Sequence, residues 1–151
     1  MQSADNSILS DSTIIFRIPA RLADVRLLGI SAHSLFANLG FSDIEVYQLE
    51  LAITEAANNI VKHAYQYKDD MYMSMKFTIK EDKVYCTLVD KGNFENFLKN
   101  NARGEIAVDT QILPPDSRGI AIICEVMDEV SYRRSGNKYI LTLVKYLPGF
   151  W

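Results

Sequence analysis

The stretch Glu50–Tyr65 reads ELAITEAANNIVKHAY, and its spacing decides how the rest of the chain is read. Glu55, Asn59 and His63 recur at every fourth position, so in a helix they rise along one side with ~40° of drift per step. A second stripe, Ile53, Ala56, Ala57, Ile60 and Ala64, is apolar and mostly small. The helix therefore packs closely on one side while showing a carboxylate and a carboxamide on another. Two readings of this helix stand. Glu55 and Asn59 form a functional pair, or they belong to an ordinary solvated face with His63 opposing the helix dipole near its C-terminal end. Upstream, Ser42 with Glu45 three residues later has the form of a capping box, which starts the helix and lets it run to about His63 or Tyr65.

Before it, Ile14–Ile18 (IIFRI) reads as a strand stopped by Pro19, preceded by a polar leader, Met1–Thr13. Leu22, Val25, Leu28, Ala32, Leu35, Phe36 and Leu39 then recur at three- and four-residue steps, giving a helix over Arg21–Leu39 ended by Gly40. Downstream, Met71–Lys80 (MYMSMKFTIK) alternates strictly. Met71, Met73, Met75, Phe77 and Ile79 share one face, the pattern of a half-buried strand with a core-facing methionine stripe. Glu81-Asp82-Lys83 turns the chain, and Val84–Val89 returns antiparallel. From Asp90-Lys91-Gly92 to Ser117 the periodicity is weak. A connection of that length in a compact domain reads as a lid or binding loop, placed at about residues 93–117. A helix follows in GIAIICEVMDEV from Gly119, then a hairpin of Val130–Arg134 and Tyr139–Val144 around Ser135-Gly136-Asn137. The order β-α-α-β-β-lid-α-β-β predicts an α+β fold: one mixed or mainly antiparallel sheet with helices on one face.

The chain has 151 residues, enough for one domain over 14–151 that buries roughly 68–70% of its unfolded surface. Sixteen Lys+Arg stand against 19 Asp+Glu, a net charge of −3 with no run of one sign, which argues against a nucleic-acid surface. No apolar run reaches the ~18–20 residues of a membrane span, and the leader lacks the basic and apolar regions of a secretory signal. Cys86 and Cys124 each lie in an apolar run, so both are read as buried free thiols in a reducing cytoplasm. No Cys–His spacing suits a metal, neither Cys lies near a His in sequence, and His33 sits among Ser31, Ala32 and Ser34 on a helix.

Three short motifs remain: the helical Glu-x-x-x-Asn, the strand-terminal Asp90-Lys91-Gly92, and Ser117-Arg118-Gly119 opening a helix, where backbone N–H groups suit phosphate oxygens. Each has a bland counterpart in turn or capping chemistry. Taken in order, with Glu55-Ala56-Ala57-Asn58-Asn59 through His63-Ala64-Tyr65, PARLADVRLL (Pro19–Leu28) and VMDEVSY (Val126–Tyr132), they resemble the GHKL ATPase superfamily over residues 14–146. The resemblance is greater to its small bacterial branch, the anti-sigma-factor serine-protein kinases of partner-switching systems. It implies a two-layer Bergerat fold. It further implies that Asn59 holds a Mg²⁺ that bridges ATP phosphates, and that Glu55 is the general base on a partner serine or a water. By the same resemblance, Asp90 would accept from the adenine amino group, Gly92 would leave room for the base, and Gly119 with Arg118 would receive phosphates. Lys99 or Arg103 of the lid brings further charge. Implied partners are a sigma factor and a STAS-type anti-anti-sigma protein, with the chain itself a homodimer. Two positions depart from the family pattern: Phe94 stands where the first glycine box often has its second Gly, and Ser117 where the second box has its first. Those departures leave a non-catalytic binding module on the same fold as the alternative.

Overall fold

A computed structural model describes residues 12–68, 70–90, 118–136 and 138–149. Among them lie five strands and three α-helices: β1 (Ser12–Pro19), α1 (Leu22–Asn38), α2 (Asp43–Asn59) leading into a π-turn (Ile60–Ala64), β2 (Tyr72–Lys80), β3 (Lys83–Asp90), α3 (Arg118–Val126), β4 (Glu129–Ser135) and β5 (Lys138–Tyr146). The strands form one sheet in the order β1-β2-β3-β5-β4, every pairing antiparallel. The α+β expectation holds, and its mixed-sheet option does not arise among these strands.

Period two sets the sheet's inner face. Met73, Met75, Phe77 and Ile79 of β2 and Val84, Cys86 and Leu88 of β3 are all buried against the helices, while the residues between them are not. The methionine stripe is thus core, with Met71 only half-buried at its end. Phe77 anchors the layer, edge-to-face with Phe16 at 5.9 Å and Phe36 at 6.0 Å. Cys86 is fully enclosed, and burial pushes its thiol well above the ordinary range. Cys124 is half-buried rather than buried, because its helix turns it partly outward, and both cysteines are free thiols. β1 begins at Ser12, two residues ahead of the expected start. The ladder to β2 continues to Ser12 opposite Ile79, and the Thr13 and Thr78 hydroxyls meet at 3.3 Å.

α1 and α2 form an antiparallel hairpin over that core. Ser42 caps α2 as expected: its hydroxyl accepts from the Glu45 N–H while the Glu45 carboxylate accepts from the Ser42 N–H at 2.9 Å. The two helices approach closely at Gly29, where a Cβ would stand 2.9 Å from the Thr54 hydroxyl. One turn along, His33 Nδ1 lies 2.6 Å from Glu50, so His33 ties the helix pair together. α2 lies between α1 and α3 in the helical layer, and Leu49, Ile53, Ala56 and Ala57 face inward.

Candidate functional site

Glu55 stands on α2 in the turn that faces the start of α3. Its carboxylate packs directly on Gly119: an added Cβ at Gly119 would sit 2.5 Å from Glu55 Oε2 and 3.3 Å from its Cδ. Only a glycine in the first turn of α3 permits that approach. The carboxylate therefore lies beside the first turn of α3, where the helix dipole's partial positive charge favours an anion. Asn59, one turn further along α2, is buried, 7% exposed, and with Asp90 it is one of two buried polar or charged residues among those described.

The helix changes character immediately after Asn59. The Tyr65 N–H bonds the Ile60 carbonyl at 2.9 Å, five residues back, so the sequence IVKHA closes a π-turn where a continued α-helix was expected. Such turns recur beside functional groups. His63 lies within this turn, half-buried, and is not at the Glu55–Gly119 contact.

Asp90 ends β3 in the same parity as Val84, Cys86 and Leu88, so its side chain points to the helical side and is 2% exposed. A charged residue is rarely buried to that degree, and its place at the end of the inner row separates it from an ordinary strand-ending carboxylate. α3 is held at its C-terminal end by a polar corner formed with β5. Lys145 Nζ donates to the Val126 carbonyl at 2.8 Å and lies 3.7 Å from Asp128, whose other oxygen accepts from the Tyr146 N–H at 2.7 Å. These contacts fix the C-terminal end of α3 to β5, and with it the direction in which the Gly119 end points.

Of the expected site residues, the structure brings Glu55 and Gly119 into contact, buries Asn59 one turn beyond, and encloses Asp90. For Arg118 it describes the backbone at the start of α3. Gly92, Phe94, Lys99, Arg103 and Ser117, and with them the expected lid at 93–117, lie outside the described residues. Among the described residues no three His, Cys, Asp or Glu side chains converge as a metal cluster, and no helix is long and apolar enough to cross a membrane. A Mg²⁺ is nonetheless compatible with this set. That ion keeps several waters and takes few protein oxygens, and the buried Asn59 carboxamide would supply one.

Three comparisons with known proteins bear on the family of this chain. Residues 18–145 match the family described as histidine kinase-like ATPase domain. Serine-protein kinase RsbW of Staphylococcus aureus (strain bovine RF122 / ET3-1) is 30% identical over 139 residues, covering 89% of this chain and 86% of the relative. Serine-protein kinase RsbW of Listeria monocytogenes serotype 4a (strain HCC23) is 29% identical over 138 residues, covering 89% and 87%. In fold, the chain is similar to the crystal structure of the RsbU and RsbW domains of Rv1364c from Mycobacterium tuberculosis. The TM-score is 0.59 at 14% identity, over 90% of this chain and 32% of that longer one. With its antiparallel sheet under one helical layer, this chain belongs to the histidine kinase-like ATPase domain family, within the GHKL superfamily and its serine-protein kinase branch.

Proposed function

We propose that the chain is an ATP- and Mg²⁺-dependent protein-serine kinase that acts as an anti-sigma factor in a partner-switching system. In this reading it phosphorylates a serine on a STAS-type anti-anti-sigma protein and works as a cytoplasmic homodimer. The observation that carries the reading is the pairing on α2: a Glu55 carboxylate against the first turn of α3 and a buried Asn59 carboxamide one turn on. The RsbW relatives, named as serine-protein kinases, support the same assignment.

Each residue then has a task. Asp90, enclosed at the end of β3, accepts from the exocyclic amino group of adenine and fixes the base, while Gly92 leaves it room. The first turn of α3, from Arg118 and Gly119, offers N–H groups to phosphate oxygens, which stabilises charge as it shifts toward the leaving phosphate. The Asn59 oxygen would be the protein ligand for the divalent ion, which would offset phosphate charge. Glu55 accepts the proton of the attacking serine hydroxyl. As that oxygen bonds to the γ-phosphorus, the bond to the β–γ bridging oxygen breaks, ADP departs, and the proton passes from Glu55 to solvent.

The experiment is transfer from γ-labelled ATP to a purified STAS-type antagonist, alongside calorimetric titration with Mg·ATP. Label on the antagonist, abolished by Glu55→Ala while nucleotide still binds, is the expected result. Partner binding that is indifferent to nucleotide, with no heat for Mg·ATP or ADP, would establish a non-catalytic binding module instead.

A further inference from the structure

At the end of the sheet where β2 begins, a cleft of about 350 Å³ that the proposed phosphoryl transfer does not use is lined by outward-facing strand residues together with Tyr65 and Met71 of the core's edge. Its floor is a row of residues opposed in register on three adjacent strands: Arg17 of β1, Ser74 of β2 and Val89 of β3. Tyr72 and Lys138 stand at the sheet's end, and Asp70 lines the wall beside them. The strands' alternation separates this cleft from the candidate site, since Val89 and Asp90 are neighbours that point to opposite faces.

The chemistry of the lining is specific. The Arg17 guanidinium lies over the Tyr72 ring at 4.3 Å, a stack that holds its planar fork in place and leaves the N–H edges open. Among the described residues neither Arg17 nor Lys138 forms an ion pair within 4.0 Å, and with the single carboxylate of Asp70 the described lining keeps an excess of positive charge around the Ser74 hydroxyl. A dianion answers both charges, and a guanidinium fork matches tetrahedral phosphate oxygens two at a time. Asp70 accepts from a donor on the same molecule. The volume is that of a small-molecule site, for which ~300–1,000 Å³ is usual. We infer that this cleft binds a small organic phosphate, with its phosphoryl group on Arg17 and Lys138 and a hydroxyl or amine on Asp70.

The test is amide NMR of the full chain titrated with glycerol phosphate, with malonate as a dicarboxylate control, run both with and without Mg·ADP. Saturable shifts centred on the amides of Arg17, Ser74 and Val89 are expected in both conditions. Arg17→Ala and Lys138→Ala should each raise Kd about tenfold or more. Both side chains are exposed, so the melting temperature should stay unchanged and report an intact fold. Shifts that never saturate, that persist in the double variant, or that malonate reproduces at equal concentration would overturn the assignment.

Discussion

Replacing Gly119 with alanine tests the placement of the candidate base without touching the base itself. A Cβ there would meet Glu55 Oε2 at 2.5 Å, whereas ordinary contact begins at 3.4 Å, so the carboxylate must retreat by about 0.9 Å. Backbone does not need to move, because the obstructing atom is the far end of a flexible side chain and the Glu55 Cβ stays at 3.5 Å. Alanine also favours a helix over glycine by ~0.8–1.0 kcal/mol in an interior position, so folding stability should be unchanged or slightly higher. Catalysis should respond differently. A displacement of about 1 Å in a reacting group can cost ~10²-fold in rate, equivalent to about 2.7 kcal/mol of barrier. The assay is single-turnover transfer from γ-labelled ATP to the antagonist, with thermal melts and Mg·ATP titration on the same preparation. A stable Gly119→Ala protein that transfers phosphate within about threefold of the parent refutes the placement of Glu55 as base at this contact.

Other substitutions separate the remaining roles. Asn59→Ala should weaken nucleotide binding in Mg²⁺ and leave the residual binding in EDTA unaltered, as calorimetry would record; equal loss in both buffers would remove the ion from Asn59. Phe77→Ala deletes a ring that packs on Phe16 and Phe36, and urea unfolding should show a loss of ~3–5 kcal/mol; a loss under ~1 kcal/mol would mean the core collapses around the gap. Cys86 gives a pH dependence with a definite sign. Its folded-state thiol is raised above the 9.0 of an unburied one, so its contribution to stability is intact below about pH 9 and falls as pH rises further. The slope reaches at most ~1.4 kcal/mol per pH unit, and Cys86→Ala should flatten it relative to the parent between about pH 8 and about pH 10.

What could be read from the order of residues, and what could not, follows the range of each interaction. The Met73–Ile79 face, the Ser42–Glu45 cap and the β2–β3 hairpin rest on contacts within a few positions or within one strand's period, so they show in the sequence and recur in the structure. Glu55 and Asn59 were picked out by helical spacing, but nothing local announces that a glycine 64 positions downstream lies against that carboxylate. The Asp128–Lys145 corner is equally long-ranged. The cleft at the sheet's end needs β1, β2, β3 and β5 in register before Arg17 and Lys138 share a cavity. The π-turn escaped for another reason. IVKHA contains no Gly or Pro, and its apolar positions fit an α-helix well, so only the fold around it could select the wider turn.

That wider turn amounts to one surplus residue threaded into an otherwise regular spiral. Rewound to standard pitch with every residue kept, the segment would swing everything beyond it by about 100°. Ala64 and Tyr65, now sealed against the interior, would rotate toward water, or else Glu55 and Asn59 would be dragged off their bearings. A single extra amino acid thus acts as a phase shifter, letting one rod keep its chemistry and its anchorage aligned to different neighbours.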